Sequence, residues 1–458
     1  MTEEFDAIII GAGQSGPFLA AKLAEAGQKV AVIERAHLGG TCVNDGCTPT
    51  KTLVASARAA WAARHAAQFG VKIEGTVTVD MRAVKARKDA IVNASVQSLT
   101  KWLGGLETLE VIYGTGRFVS PREVSVGDRT LSAPKIFINV GGSARVLAWP
   151  GLQDVPYLTN SSVMDLDEVP SHLLIAGCSY IGLEFAQIYA RFGAKVTVIE
   201  RAGNIAQRED QDIIDGIREI LKADGVSFLE GSEIERVENV GSEIKLHIRS
   251  QGSHMEVQGS HLLVALGRTP NTRDLNLGAA GLEADPRGFI PVDDHLRTNV
   301  EGIWALGDVN GRGAFTHTSY HDHEIVANNV LKDGQRSIKD RIPVYGLFID
   351  PPLGRIGMSE TQVRQSGRPA LMATYPMARV ARARERGETS GLIKVLVDAE
   401  TKLILGAAIL GINGDEVVQS LLQLMAAGTP YTKMIETVHI HPTVSELIPT
   451  VLGQLKPL

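Results

Sequence analysis

The chain carries the same pattern twice, and that repeat constrains its fold more than any other feature. In the first copy a short β-branched run (residues 5–10) leads into Gly11-Ala-Gly-Gln-Ser-Gly16. A helical pattern follows to Ala26, then an apolar run (29–33) that stops at Glu34. In the second copy an apolar run (173–176) leads into Gly177-Cys-Ser-Tyr-Ile-Gly182. A helical pattern to Phe192 and an apolar run (195–199) follow, stopping at Glu200. Both copies close on Val-Ile-Glu-Arg, at 32–35 and 198–201, with the same offset from first glycine to acid. Each then continues through a meander of short strands (117–135 and 233–257). The meanders end in apolar strands, 136–140 closed by Gly141-Gly142 and 262–266 closed by Gly267-Arg268. Repetition at this level implies two copies of one structural unit. Strand, helix and strand in that order imply parallel sheets, so the fold class is α/β with two Rossmann-like domains.

Each part of the repeat has a physical task. Gly11 permits the tight turn, Gly13 lets backbone approach a pyrophosphate, and Gly16 lets helix and strand pack closely. The helix start offers unpaired N–H groups and partial positive charge to phosphate. Glu34 lies where a carboxylate accepts from an adenosine ribose. The second unit keeps Gly177, Gly182 and Glu200 but has Ser179 as its middle residue, so a Cβ narrows the pyrophosphate approach there. Cys178, in the same turn, reads as a packing residue. Glu200 favours a free 2′-hydroxyl and hence NADH over NADPH, against which stand the nearby Arg201 and Arg208.

Just past the first fingerprint stands Gly39-Gly-Thr-Cys-Val-Asn-Asp-Gly-Cys-Thr-Pro-Thr-Lys51, with Cys42 and Cys47 four residues apart. The spacing alone fits two structural cysteines equally well. Beside a redox dinucleotide, however, two thiols can cycle as a two-electron pair. A helix starting near Pro49 would stabilise a thiolate, and Lys51 adds positive charge. Only three cysteines occur in 458 residues, too few for a disulfide framework. The 46 basic against 52 acidic residues give −6, with no basic cluster, which argues against nucleic-acid binding. No apolar run of about 18 residues and no signal-like start occur, so the expectation is a cytoplasmic protein without a membrane partner.

Elsewhere, a long amphipathic helix is expected over 81–103 and a strand over 109–113. A short strand in 298–308 ends in Gly307-Asp308, where an aspartate can accept from a polyol hydroxyl. From Arg341 the pattern changes to strands (345–349, 391–397, 404–410) and helices (415–427, 443–452), a separate α+β domain. Near its end, His441-Pro-Thr-Val-Ser-Glu446 offers a histidine beside a carboxylate that would raise its basicity and fix its tautomer.

With these motifs in order, the chain resembles the pyridine-nucleotide disulfide oxidoreductases, the flavoproteins that include dihydrolipoamide dehydrogenase, glutathione reductase and mercuric reductase. The wording of several segments is most similar to the mercuric-reductase-like branch, which also contains a copper reductase. The resemblance implies FAD in the first unit, NAD(P)H in the second and a homodimer built on the last domain. It divides the chain into residues 1–148 and 269–340 (FAD-binding and central), 149–268 (NAD(P)-binding) and 341–458 (dimerisation). It adds Gly40, Thr41, Lys51, Gly114, Gly141 and Asp308 to the FAD contacts, and Tyr180, Ile181 and Gly267 to the nucleotide contacts. Cys42 would attack substrate and Cys47 would contact the flavin. Lys51 would pair with Glu184 near the flavin, and Tyr180 would gate the nicotinamide pocket. His441, held by Glu446, would serve as acid/base toward Cys42 of the other subunit. Where the family has Ala-Thr-Gly this chain has Asn139-Val140-Gly141, which removes a threonine contact to FAD.

Three functions fit these pieces. One is a disulfide reductase, or its reverse as a dithiol dehydrogenase, which the His441–Glu446 pair favours because a thiol leaving group needs a proton. Another is a metal-ion reductase for mercury or copper, since soft ions suit thiolates. Against mercury, the chain ends Leu-Gly-Gln-Leu-Lys-Pro-Leu, without the C-terminal cysteine pair of that branch. The third is a non-catalytic flavoprotein redox sensor.

Overall fold

The computed structural model describes residues 1–458, and the chain folds into two units. The first comprises Met1–Thr52, Lys85–Arg145 and Gly267–Arg341. The second comprises Leu53–Val84, Val146–Leu266 and Ile342–Leu458.

In the first unit five parallel strands stand in the order Ile303–Ala305, Ile136–Ile138, Ala7–Ile10, Val30–Glu34, Leu109–Tyr113. Ala7–Ile10 and Val30–Glu34 are buried along their whole length, which is why they read as unbroken apolar runs rather than alternating ones. The helix Gly16–Glu25 starts with Pro17 in its first turn, where a missing N–H costs nothing. Its apolar face packs with Leu38, Leu103, Leu306 and Ile325. The second unit contains a four-stranded parallel sheet in the matching order His261–Val264, His172–Ala176, Lys195–Glu200, Val226–Glu230. An antiparallel meander (Ser232–Val240, Glu243–Ser250, Ser253–Gly259) is inserted at the place the first unit inserts Arg117–Ser120, Glu123–Val126 and Arg129–Ser132. The second unit also holds a six-stranded antiparallel sheet whose central strands, Ile404–Leu410 and Leu392–Asp398, are almost wholly buried.

The repeat extends to individual atoms. Gly11 N–H donates to Ile33 O at 2.8 Å and Gly177 N–H to Ile199 O at 2.9 Å. Gly11 (φ 102°) and Gly177 (φ 100°) take the left-handed turn that L side chains avoid. A Cβ on Gly16 would lie 2.4 Å from Gly11 O, and one on Gly182 would lie 2.2 Å from Gly177 O. Ser179 sits where the first copy has Gly13. It is extended (φ −74°, ψ 174°) and exposed as the residue preceding helix Tyr180–Phe192, so the departure from glycine costs no backbone strain.

The structure departs from the sequence reading in three places. The helix expected over 443–452 is a single turn, Ser445–Leu447, followed by Ile448–Leu452, because Pro449 can stand only in a helix's first turn and restarts it there. The strand expected in 298–308 is only Ile303–Ala305, followed by the turn Gly307–Asn310. Helices Gln211–Ala223 and Thr316–Lys332 were not foreseen.

Gly182→Ala should lower the apparent melting midpoint by several degrees, corresponding to an overpacking cost of about 1–3 kcal/mol. Ser179→Gly should change it by much less. Thermal unfolding of the two purified variants tests this, and an unshifted Gly182→Ala would mean that helix and strand do not pack this closely.

Candidate active site

The cysteine segment is bonded onto the first glycine turn. Gly39 N–H donates to Ala12 O at 2.9 Å, and a Cβ on Gly40 (φ 57°) would lie 2.7 Å from Gly13 Cα. Asn44 Nδ2 donates to Leu38 O at 3.0 Å and to Gly40 O at 2.9 Å, closing the loop between the thiols. A Cβ on Gly46 would meet Thr41 O at 2.8 Å, so the residue before Cys47 has to be glycine. Cys42 lies in the short helix Gly40–Asn44, and Cys47 is the first residue of helix Cys47–Arg64. Both are half-buried free thiols.

The two thiols have different environments. Cys47 Sγ lies 3.1 Å from Thr316 Oγ1, and Thr316 is the first residue of helix Thr316–Lys332. A thiolate at Cys47 therefore has its own helix start and a hydroxyl at the start of another beside it. For Cys42, the hydrogen bond with Cys47 pushes the thiol's pKa up, and burial adds to this. The Thr316 hydroxyl and the Lys51 charge oppose it without reversing it. Cys42 is therefore the thiol disfavoured as a thiolate. Arg268 stands close by. Its Nη2 donates to Thr41 Oγ1 at 3.1 Å and to Gly142 O, and its Nε lies 3.9 Å from Asp308 Oδ2. Burial pulls the Arg268 pKa down, while Asp308, Asp45 and Cys47 favour its charge. Burial pushes the Asp308 carboxyl up, opposed by Arg268. The turn carrying Asp308 is fixed from below by buried Asp322, which accepts from Gly307 N–H (2.8 Å), Asn310 Nδ2 (3.2 Å) and Arg341.

Around the first glycine turn the residues fit an FAD. Glu34 Oε2 accepts Ala12 N–H and Oε1 accepts Ala36 N–H, both at 2.8 Å, leaving each oxygen a further acceptor site. A Cβ on Gly13 would approach Asn139 Nδ2 to 3.3 Å, and that buried amide nitrogen has no hydrogen-bond partner. An unpaired buried donor at a glycine-lined turn calls for an acceptor such as a pyrophosphate. Gly114 N–H donates to Glu34 O at 2.9 Å, and Gly141 (φ 61°) leaves open space where a Cβ would be.

Of the residues expected to hold a nucleotide in the second repeat, all but Gly267 belong to the second unit. Glu200 accepts Cys178 N–H at 3.1 Å and Ala202 N–H at 2.8 Å, the same pair of bonds that Glu34 makes. Tyr180 OH donates to Glu209 Oε1 at 2.6 Å, and Tyr345 OH donates to the same oxygen at 2.8 Å. Burial and then the Glu209 charge push both phenol pKa values up. Ile181 packs half-buried against the core, and buried Glu184 accepts Phe348 N–H at 2.9 Å. Gly267 belongs to the first unit, where its carbonyl accepts Arg145 N–H at 2.9 Å. In the second unit His441 Nδ1 lies 2.9 Å from Glu446 Oε2, and the His441 side chain is 75% exposed. Arg382 donates to Pro442 O at 2.5 Å and 3.1 Å, fixing the loop after the histidine.

Residues 5–322 match the family model for pyridine nucleotide-disulphide oxidoreductases, and residues 344–452 match that family's dimerisation domain. The chain belongs to the pyridine nucleotide-disulphide oxidoreductase family. It is 37% identical over 461 residues to a probable pyridine nucleotide-disulfide oxidoreductase, RclA, of Escherichia coli, covering 99% of this chain and 100% of the relative. It is 32% identical to the dihydrolipoyl dehydrogenase of Chlamydia muridarum, covering 98% and 96%. Among solved structures, the Cu(II) complex of the HOCl-induced flavoprotein disulfide reductase RclA from E. coli superposes with a TM-score of 0.91. That match has 35% identity and covers 99% of each chain. No helix is long and apolar enough to cross a membrane.

Sequence reasoning gave no role to Thr316, Arg268, Asn139, Glu209 or Tyr345. Arg268 follows directly on Gly267 at the end of an apolar strand, a position that could have drawn attention. Thr316 and Tyr345 come from distant segments and left no local signal.

Thr316→Val removes a donor that favours the thiolate, so the pKa of the reduced pair should rise. The pH midpoint of iodoacetamide alkylation in the reduced protein should move up by about one unit, the scale of one hydrogen bond to a charged group. A midpoint that stays in place would remove Thr316 from the thiol site.

Proposed function

We propose that the protein is an FAD-dependent disulfide reductase that takes electrons from NADH, in preference to NADPH. It passes them through the Cys42–Cys47 pair to a small disulfide substrate. The observation that carries this reading is the docking of the cysteine segment on the first glycine turn, with Cys47 at a helix start and Cys42 disfavoured as a thiolate. FAD, when bound, supplies two-electron transfer between nicotinamide and the cysteine pair. Glu34, Asp308 and the turn Gly11–Gly16 would hold it, and Gly177, Gly182, Ile181 and Glu200 would hold the nicotinamide nucleotide. Tyr180, tethered to Glu209, would cover the nicotinamide site until the nucleotide arrives.

Cys42 passes its proton to an imidazole and attacks one sulfur of the substrate disulfide. A Cys42–substrate disulfide forms, and the first substrate thiolate leaves with a proton from imidazolium. Cys47 thiolate attacks Cys42 Sγ, closing the Cys42–Cys47 disulfide and releasing the second substrate sulfur as a thiolate, which takes a proton from solvent. Two electrons have left the cysteine pair, and both substrate sulfurs are reduced. The imidazole in this scheme is the partner subunit's His441, with Glu446 accepting at Nδ1 and leaving Nε2 to exchange the proton. Exposure of His441 together with Val438 (96%) and Ile440 (80%) supports a homodimer in which this loop is covered and the active site is shared.

Steady-state NADH and NADPH oxidation across lipoamide, glutathione disulfide, other small disulfides, Hg(II) and Cu(II) tests the proposal. Cys42→Ser should abolish disulfide turnover while leaving dye reduction by the flavin intact. His441→Ala should slow disulfide reduction by roughly 10²–10⁴-fold. Turnover with a metal ion alone, insensitive to His441→Ala, would overturn it in favour of metal-ion reduction.

A further inference from the structure

The two repeats differ by one hydrogen bond at their acids. In the first, residue 12 is alanine, and Glu34 receives two backbone N–H groups, one on each oxygen. In the second, the equivalent residue is Cys178. Its thiol Sγ lies 3.0 Å from Glu200 Oε2, the same oxygen that accepts the Cys178 N–H. The only other acceptor near the thiol, Asn204 O, is at 3.8 Å, too long to compete. Cys178 is 2% exposed. Burial, then Glu200 itself, pushes its pKa up, so the thiol stays protonated and remains a donor.

A carboxylate has about four acceptor sites. Glu34 has two filled and two open, one on each oxygen, which suits the adjacent 2′- and 3′-hydroxyls of a ribose. Glu200 has three filled: two on Oε2 by Cys178, and one on Oε1 by Ala202 N–H. It retains one, on Oε1. We propose that Cys178 is a positioning residue that sets nucleotide specificity through Glu200. Its thiol fills the acceptor site a second ribose hydroxyl would use, which narrows the preference for a 2′-hydroxyl over a 2′-phosphate. The donated S–H also draws on the carboxylate's charge, lowering the repulsion that a 2′-phosphate meets. Arg201, the next residue, stands on the side of tolerance. The site thereby takes NADH with a modest advantage and still admits NADPH. The inference rests on the reading that Glu200 faces the adenosine ribose.

Binding of NAD⁺ and NADP⁺ to the FAD-loaded protein, followed by titration calorimetry, separates the possibilities without relying on turnover. Cys178→Ala, which makes the second repeat like the first, should raise the NAD⁺/NADP⁺ affinity ratio about threefold or more, the scale of one weak hydrogen bond. Cys178→Ser, which keeps a donor, should stay within about twofold of the parent. An unchanged ratio in Cys178→Ala, with a ratio that falls in Glu200→Gln, would overturn the proposal while leaving the role of Glu200 intact. Equal shifts in Cys178→Ala and Cys178→Ser would also overturn it, because packing rather than hydrogen bonding would then be responsible. If Glu200→Gln leaves NAD⁺ affinity unchanged, the ribose reading itself fails and the inference falls with it.

Discussion

Both repeats depend on a carboxylate at the end of a buried strand that holds the glycine turn beside it. Glu34 and Glu200 each bind the N–H of the residue after the first glycine and the N–H two residues beyond themselves. Those bonds hold the turn in the left-handed conformation that Gly11 and Gly177 adopt. The same acids therefore do two things at once. They satisfy turn N–H groups that burial would otherwise leave unpaired, and they keep acceptor sites free on their remaining lone pairs. In the first unit this turn also seats the cysteine loop, so the conformation at Gly11 to Gly16 decides where both thiols stand. An error at the turn would displace both thiols.

The ring of Tyr180 packs on the apolar core and against Tyr345, while its hydroxyl is held by buried charge. Arg355 and Lys394 are each 1% exposed. Arg355 contacts Glu209 at 3.4 Å and Asp210 at 3.3 Å, and Lys394 contacts Glu360 at 2.6 Å and Asp212 at 2.9 Å. Burial disfavours ionised Asp210, but Glu360 N–H, Arg355 and Thr361 N–H outweigh it and hold the carboxyl below its usual range. Such networks add little net stability, since desolvation offsets most of the attraction. Their value here is geometric. Glu209 Oε1 takes two phenol donors, so the loss of one during movement of Tyr180 would still leave the buried oxygen satisfied by Tyr345.

What the sequence revealed was local and periodic. The parallel strands Ala7–Ile10, Val30–Glu34 and His172–Ala176 were readable because they are buried almost throughout, and the turn glycines were readable because no other residue fits at 2.2–2.4 Å from a carbonyl. The helix Thr316–Lys332 was not readable. Its first half, Thr-His-Thr-Ser-Tyr-His-Asp-His, is polar, yet Ser319, Asp322 and His323 are buried and there is no apolar stripe to count. Its burial comes from packing on the first glycine helix, where Ser15 Oγ bonds Ser319 O at 2.6 Å. The missed residues share that origin. Thr316 reaches Cys47 across 269 positions, and Tyr345 reaches Glu209 across 136. Pair spacing within a segment, as in Cys42–Cys47 or His441–Glu446, survives translation into sequence. Proximity created by folding does not.

The loop carrying His441 follows a different logic from the rest of the surface. Val438 and Ile440 are almost fully exposed, yet the loop is well anchored. Thr443 Oγ1 donates to Ile440 O at 2.8 Å, Glu446 accepts Thr443 N–H at 3.3 Å, and Arg382 holds Pro442 O. A flexible loop could turn such side chains inward. A loop fixed at both ends presents them to solvent at a continuing cost of about 25 cal/mol per Å² of apolar surface. That cost disappears once another surface covers them, and the family's dimerisation domain spans these residues. Covering the loop would also strip water from the imidazole beside them. An exposed acid exchanges its proton with solvent, whereas a covered one keeps it for a group inside the interface.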